Sequence, residues 1–247
     1  MMPMILEPSL PENFKVLFIV AHPDDIEFGA AGSVASWTDA GATVTYVIVT
    51  NGAAGSNDPN IDIHELILTR QKEQLEAAAH VGVTDIRFLG YQDGALQPTL
   101  ELRRDLTRII REVKPNRVVI QDPTTILVEN LADESGDYIN HPDHRAAGEA
   151  ALYAIFPSAE TRPIFPELLA EGLDPHHVQE VYLVMSSTPN IAVDISNHTE
   201  RKFKSLLAHR SQLDESVRPM VEAWDKVTGA ELGVTSAESF RKLRFPR

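Results

Sequence analysis

The fold is decided by residues 15–32, which read "KVLFIVAHPDDIEFGAAG". The first six residues form a near-continuous apolar run, which is typical of a strand that is covered on both faces. The small residues after Gly29 suit a helix, and the glycines of this stretch let that helix pack close to the sheet. Because strands and helices then alternate along the chain, we predict an α/β fold with a mostly parallel sheet.

Further strands are predicted at 43–50, 85–90 and 117–122, where apolar or β-branched runs end in turn residues. Helices are predicted at roughly 62–80 and at 100–113, between these strands. The strand-like runs "VQEVYLVMS" and "IAVDIS" follow later in the chain. From residue 219 on, we expect one more helix and then a loose end.

A chain of 247 residues fits a single large domain, so we predict one domain over 1–247. The polar stretch 123–140 is expected to be a long connection. The stretch 157–178 holds four prolines and is predicted to be an irregular insertion.

Composition and charge exclude several classes of partner. The chain has 36 acidic against 22 basic residues, and the formal net charge of -14 argues against nucleic acid and anionic membrane surfaces. The absence of cysteine excludes disulfides and thiolate metal sites. Because no apolar run approaches ~18 residues and the N-terminus does not resemble a signal peptide, we expect a cytoplasmic protein.

Three chemically reactive side chains crowd the end of the first long strand, namely His22, Asp24 and Asp25. In α/β sheets the binding crevice lies beyond the carboxyl ends of the strands, where this cluster is predicted to lie. The glycine spacing, Gly29-x-x-Gly32, does not match the GxGxxG of dinucleotide-binding loops. A bound cation explains the clustered carboxylates better, since it converts mutual repulsion into coordination.

Imidazole together with carboxylate suits zinc or a similar first-row ion. A catalytic zinc takes three protein ligands and keeps one position open for water. His22 and Asp25 can supply two ligands, and "HPDH" at 141–144 is the obvious source of another. His141 and His144 are three residues apart at a predicted helix start, so both can face the same crevice.

Four blocks carry a resemblance to a known family: "AHPDDIEFGAAG", "TRQKEQLEAAAHVGVTDIRFLGYQDGAL", "HPDHRAAGEAA" and "VDISNHTERKFKSLLAHRSQ". Together they resemble the PIG-L/LmbE-like family of zinc-dependent N-deacetylases. The resemblance implies a Rossmann-like, three-layer α/β sandwich and removal of acetyl from N-acetylglucosamine-type amino sugars. It leaves open the native metal, Zn²⁺ or another divalent first-row ion, and whether the chain forms a homo-oligomer.

The resemblance also implies roles for individual residues. It assigns the metal ligands to His22, Asp25 and His144. Asp24 matches the general base that takes a proton from the attacking water. His141 matches the histidine that stabilises the oxyanion and assists the leaving amine.

Two residues match positions near the sugar hydroxyls, namely Arg70 and Asp93. Two other residues in the family blocks receive no chemical role from the sequence. Glu27 could be a distant metal ligand, but an exposed turn carboxylate or a partner of a metal ligand is favoured. His209 is expected to pack in the core or at an interface.

Three classes of function remain open at this point. The first is a metal-dependent deacetylase of N-acetyl amino sugars, which is the main prediction. The second is an amidase that uses the same metal centre on a larger thiol- or glyco-conjugate. The third is a non-catalytic sugar- or nucleotide-binding protein, although the intact set of histidines and aspartates argues against it.

Overall fold

A computed structural model describes residues 4–128 and 137–246. Residues 129–136, the middle of the predicted connection at 123–140, lie outside the described residues. Ten strands occur in the described part of the chain: β1 (Ile5–Leu6), β2 (Lys15–Val20), β3 (Thr43–Thr50), β4 (Asp85–Tyr91), β5 (Arg117–Gln121), β6 (Leu127–Val128), β7 (Tyr138–Ile139), β8 (Glu180–Val184), β9 (Ile191–Asp194) and β10 (Ala237–Arg244). The α-helices described are α1 (Asp25–Gly29), α2 (Ala31–Asp39), α3 (Ile63–His80), α4 (Leu100–Val113), α5 (Pro142–Tyr153), α6 (Pro166–Ala170), α7 (Thr199–Leu206) and α8 (Arg218–Leu232).

Eight strands form one sheet in the order β1-β9-β10-β8-β5-β2-β3-β4, and β6 pairs with β7 separately. In the centre of the sheet, β2 runs parallel to both β3 and β5. Strands β4 and β8 extend this parallel set on either side. The predicted α/β fold with a mostly parallel sheet is therefore confirmed.

Strand β10 contradicts the prediction of a loose end after α8. It lies antiparallel between β8 and β9, so the tail completes the sheet. Its sequence, "AESFRKLR", shows little apolar pattern because charged residues occupy half of its positions. Lys242 pairs with Glu180 and Glu238 pairs with Lys202, so distant parts of the chain neutralise two of its charges.

The sheet separates two apolar layers, as the side chains of β2 illustrate. Val16, Phe18 and Val20 point into a layer shared with α2 and α3. Leu17 and Ile19 point into the opposite layer, which α4 and α5 cover. This burial on both faces explains why the strand is a continuous apolar run rather than an alternating one.

The glycines of "FGAAG" allow the first two helices to approach the strands closely. A Cβ added at Gly29 would lie 2.7 Å from Val184, and one added at Gly32 would lie 2.8 Å from Ile195. Any side chain at these positions would force the helices away from the sheet. The packing role predicted for these glycines is confirmed.

The predicted insertion at 157–178 begins within a π-helical turn at Ala154–Ala159 and includes α6. The buried guanidinium of Arg111 donates to five carbonyl oxygens around this segment: those of Ser158, Ala159, Thr161, Ile164 and Leu173. This side chain of α4 thus replaces the regular hydrogen bonding that the proline-rich segment lacks. Among the helices of the described residues, none is long and apolar enough to span a membrane.

Candidate active site

The candidate site lies where the parallel strands end. The loop after β2 carries His22 and Asp24, helix α1 begins at Asp25, and the loop after β4 carries Asp93. Helix α5 begins at the same edge of the sheet and brings its own histidines. The structure thus gathers the residues predicted to form the site: His22, Asp24, Asp25, Arg70, Asp93, His141 and His144.

Asp25 lies between two histidines of the predicted ligand set. Its Oδ2 is 3.5 Å from Nδ1 of His22, and its Oδ1 is 3.0 Å from Nε2 of His144. The centroids of the two imidazole rings are 5.2 Å apart. One carboxylate between two imidazoles is a donor set that suits zinc and similar first-row ions.

Two overlapping groups of donor atoms could hold a metal ion, and both include His22. The first consists of His22, His141 and His144, and the second of His22, Asp93 and Asp143, with donor atoms within 4.8 Å of one another in each group. Neither group is the predicted set of His22, Asp25 and His144, in which one carboxylate contacts both imidazoles, but that set and the three-histidine group both match known zinc donor sets. The residues present therefore fit a first-row metal at the predicted position.

The outer nitrogens of the predicted ligands face oxygen atoms. Nε2 of His22 lies 3.0 Å from Asp93 and 3.4 Å from Asp143, and Nδ1 of His144 lies 3.2 Å from Oδ1 of Asn140. In the neutral rings that a metal requires, these oxygens favour a hydrogen on the outer nitrogen, so the nitrogen that faces Asp25 would keep its lone pair. This arrangement orients both histidines for metal binding.

The sequence did not single out Asp143 or Asn140 for this role. Both flank proposed functional residues within the "INHPDH" stretch, and that adjacency was the available signal. Asp143 is buried and also accepts hydrogen bonds from the backbone N–H groups of Gly94 and Leu96. It therefore joins the start of α5 to the loop after β4.

The charges of the cluster favour a cation. Burial lowers the pKa of His22, but Asp25, Asp143 and Asp93 together raise it to about 12. Burial raises the pKa of Asp25, but His144 and His22 outweigh burial and hold that pKa well below its usual value. Several carboxylates thus surround the same imidazoles, and a divalent cation bound among them would supply additional positive charge.

Asp24 points away from Asp25 and toward Arg70, whose Nη2 lies 3.2 Å from its Oδ2. Burial and the neighbouring Asp25 raise the pKa of Asp24 to about 6, while Arg70 opposes this shift. A carboxyl group with a pKa near neutrality can both accept and return a proton at physiological pH. Asp24 thus lies next to the predicted ligand Asp25 but contacts Arg70 instead of the two histidines.

Arg70 is only 4 % exposed. Its guanidinium also donates to the backbone oxygens of Gly52 and Pro23, at 2.9 and 2.8 Å. Asp93 accepts a hydrogen bond from the N–H of Ala54 at 2.9 Å. The structure therefore places both residues at the site, and their predicted contacts with sugar hydroxyls stay a prediction.

His141 caps the start of α5, since its Nδ1 accepts a hydrogen bond from the N–H of Asp143 at 3.1 Å. A neutral imidazole with an accepting Nδ1 carries its hydrogen on Nε2. Burial, His22 and His144 lower the pKa of His141, although Asp143 and Asp93 oppose this shift. The ring, 4.8 Å from that of His22 between centroids, is therefore suited to donate a hydrogen bond while neutral.

Glu27 and His209 are both fully buried. An exposed position, one of the two alternatives predicted for Glu27, is therefore wrong. Its Oε1 accepts a hydrogen bond from Nε2 of Gln74 at 2.9 Å, and its Oε2 lies 3.4 Å from Nε2 of His209. The interior position predicted for His209 agrees with the structure.

Comparison with known proteins relates this site to deacetylases. A model of the family "PIG-L: GlcNAc-PI de-N-acetylase" matches residues 17–155. Diacetylchitobiose deacetylase from Thermococcus kodakarensis is 34 % identical over 236 residues, which cover 94 % of this chain and 82 % of that protein. A probable N-acetyl-alpha-D-glucosaminyl L-malate deacetylase 2 from Bacillus anthracis is 28 % identical over 215 residues, or 85 % of this chain and 86 % of that protein.

The fold of the chain is also similar to that of a deacetylase of known structure. N,N'-diacetylchitobiose deacetylase from Pyrococcus horikoshii, in complex with an inhibitor, superposes with a TM-score of 0.83 at 34 % identity. The match covers 93 % of this chain and 84 % of that one. The similarity therefore extends over nearly all of the sheet and both helical layers.

Proposed function

Because the chain belongs to the PIG-L family of metal-dependent N-deacetylases, we propose how its own residues remove acetyl groups from N-acetylglucosamine-type amino sugars. The observation that carries the proposal is the contact of Asp25 with both His22 and His144, with Asp24 adjacent but turned away. This arrangement combines a donor set for a metal with a carboxylate that is free to move protons.

We propose that His22, Asp25 and His144 hold a zinc ion. Such an ion, when bound, lowers the pKa of water and polarises an amide carbonyl. The oxygen atoms of Asp93, Asp143 and Asn140 keep the two imidazoles oriented. Other divalent first-row ions share these donor preferences, so the metal is to be identified by elemental analysis.

Asp24 is the proposed general base. It accepts a proton from the attacking water, and the ion pair with Arg70 fixes its carboxylate during this step. His141 is the proposed oxyanion donor, because its Nε2 carries the hydrogen in the neutral ring. A neutral His141 is too weak an acid to protonate the leaving amine, because losing its Nε2 hydrogen would leave an imidazolate, so Asp24 returns the proton it took.

Arg70 and Asp93 are the proposed contacts for sugar hydroxyls. Diacetylchitobiose is the first substrate to test, because relatives named for that activity are 34 % identical to this chain. The net charge of -14 and the acidic site also favour a neutral aglycone over an anionic one such as malate. A cytoplasmic location and assembly into a homo-oligomer stay predictions.

The test is acetate release from a panel that contains diacetylchitobiose, N-acetylglucosamine and N-acetylglucosaminyl malate. Each reaction is run with metal, after chelation, and after metal is restored. Metal-dependent release from one sugar supports the proposal and identifies the aglycone class. If a metal-loaded protein releases no acetate from any of them, the amidase acting on larger conjugates becomes the better hypothesis.

A further inference from the structure

Asp24 has a backbone conformation that residues other than glycine rarely adopt, with φ at 93° and ψ at -23°. It occupies the N-cap position of α1, yet its side chain makes no capping hydrogen bond. The turn therefore gains nothing from the usual N-cap interaction. Groups outside the turn must hold this strained conformation.

The conformation has a chemical consequence for two consecutive carboxylates. Asp24 faces Arg70, whereas Asp25 faces His22 and His144. The turn thus separates adjacent like charges and gives them different partners. A relaxed backbone at Asp24 would change the direction in which its carboxylate points.

Two side chains one helical turn apart on α3 hold the turn. Nη2 of Arg70 donates to the carbonyl oxygen of Pro23 at 2.8 Å, in addition to its contact with Asp24. Oε1 of Gln74 accepts a hydrogen bond from the N–H of Asp24 at 3.0 Å. The accepting side chain of Gln74 is fully buried.

Glu27 determines which way the amide of Gln74 points. Its Oε1 accepts a hydrogen bond from Nε2 of Gln74 at 2.9 Å. An ionised carboxylate only accepts hydrogen bonds, so a flipped amide would turn its oxygen toward Glu27 and its NH₂ toward the N–H of Asp24. His209, 3.4 Å from the other oxygen of Glu27, completes a row of three buried polar side chains.

We propose that these three residues, Gln74, Glu27 and His209, form a positioning triad for the catalytic base. Gln74 holds the strained turn at Asp24 and Glu27 fixes the amide of Gln74, each through a hydrogen bond. His209 supports Glu27 through proximity alone, at 3.4 Å and without a hydrogen bond among the described residues. This inference rests on the proposed function, in which Asp24 is the base. The family blocks contain all three residues, but their spacing in the sequence does not show that they touch.

The first test removes the acceptor for the N–H of Asp24. Gln74→Met keeps a similar volume, and we expect kcat to fall by about tenfold or more, because small displacements of a catalytic group are costly. We expect KM and bound metal to stay within about twofold, since no proposed ligand is touched. Gln71→Met is the matched control on α3, because the described residues make no hydrogen bond to that side chain.

The second test exchanges the two partners. Gln74→Glu removes the donor at position 74 and sets two carboxylates against each other, so it lowers kcat strongly. Glu27→Gln still offers an amide oxygen to Nε2 of Gln74, but it no longer fixes the amide orientation, because its NH₂ can also turn toward position 74, so it lowers kcat less. In the double variant the carboxylate at position 74 accepts from both the N–H of Asp24 and the amide at position 27. We expect the double variant to recover most of the kcat lost in the single variants.

A third measurement does not depend on activity. Hydrogen exchange of the Asp24 amide, followed by NMR, should be slow in the wild type and the double variant and much faster in Gln74→Met. Equal exchange in the wild type and Gln74→Met would overturn the proposal. So would kcat losses that merely follow the loss of bound metal or of folded protein.

The exchange measurement separates this inference from the proposed function. If the wild type releases no acetate from any sugar, the proposed function fails, and so does the catalytic role of the triad. Slow exchange at Asp24 would then show a turn that Gln74 stabilises without serving this reaction.

Discussion

Oδ2 of Asp143 lies 3.4 Å from Nε2 of His22, and the next residue, His144, contacts Asp25. The start of α5 therefore supplies a proposed metal ligand, His144, and a carboxylate, Asp143, that contacts the outer nitrogen of a second proposed ligand, His22. The hydrogen bonds from Gly94 and Leu96 fix Asp143 in turn. Three loops at the sheet edge are thus connected through one buried carboxylate.

Replacing Asp143 should weaken metal binding without abolishing it. We expect Asp143→Asn to lower metal affinity by roughly 10- to 100-fold, which is the usual effect of removing a carboxylate that contacts a metal-binding histidine. Competition with a chelator of known affinity measures this change, and Asp174→Asn, at an exposed site, is the control. A complete loss of bound metal would instead make Asp143 a ligand, as in the second donor group.

Replacing Asp24 should separate catalysis from metal binding. Asp24→Ala and Asp24→Asn both remove the proton acceptor, so we expect turnover to fall by more than about tenfold while metal content is retained. Acetate release and elemental analysis of the same preparations give the two quantities. Near-normal turnover in either variant would exclude Asp24 as the base.

The sequence predicts the elements that are buried on both sides or clearly amphipathic. The strand at Lys15–Val20, the strand at Thr43–Thr50 and the helix at Leu100–Val113 begin and end where the sequence predicts. Strand β10 was not predicted because two of its charged residues, Lys242 and Glu238, have partners that are distant in the chain, Glu180 and Lys202. Tertiary ion pairs of this kind leave no local signal.

The same limit applies to the candidate site. The histidines and aspartates could be predicted because they cluster in two short motifs beyond strand ends. The burial of Glu27 could not be predicted, since its partners Gln74 and His209 come from α3 and from the segment after α7. The left-handed turn at Asp24 depends on the same distant contacts.

A buried lysine should make the fold vulnerable to a single substitution. Lys202 is fully buried and lies 2.8 Å from Asp225 and 2.9 Å from Glu238. Because Lys202→Met leaves two buried carboxylates without their cation, we expect it to lower the free energy of unfolding by about 3–5 kcal/mol. Urea denaturation measures this loss.

The control for that measurement is Lys204→Met, because Lys204 lies two residues further along α7 and is exposed. This substitution should change the free energy of unfolding by less than about 0.5 kcal/mol. Replacing all three charged residues by Met, Asn and Gln should cost less than Lys202→Met alone, because no buried charge then lacks a partner. If the triple variant is the less stable of the two, the ion pairs contribute more than their desolvation costs.

The same cluster predicts how stability changes with pH. Burial raises the pKa of Asp225 to about 7, although Lys202 opposes the shift, and its Oδ2 has no hydrogen-bond partner among the described residues. The folded state therefore binds a proton that the unfolded chain, with an ordinary aspartate pKa of about 3.9, has already released. This contribution to stability is complete below about pH 4 and is lost as the pH rises through 7.

We expect Asp225→Asn to gain stability relative to the wild type between pH 5 and pH 8, measured by urea denaturation at fixed metal concentration. A difference that stays constant over this range would show that Asp225 does not titrate there, and a difference that falls would reverse the sign of its pKa shift.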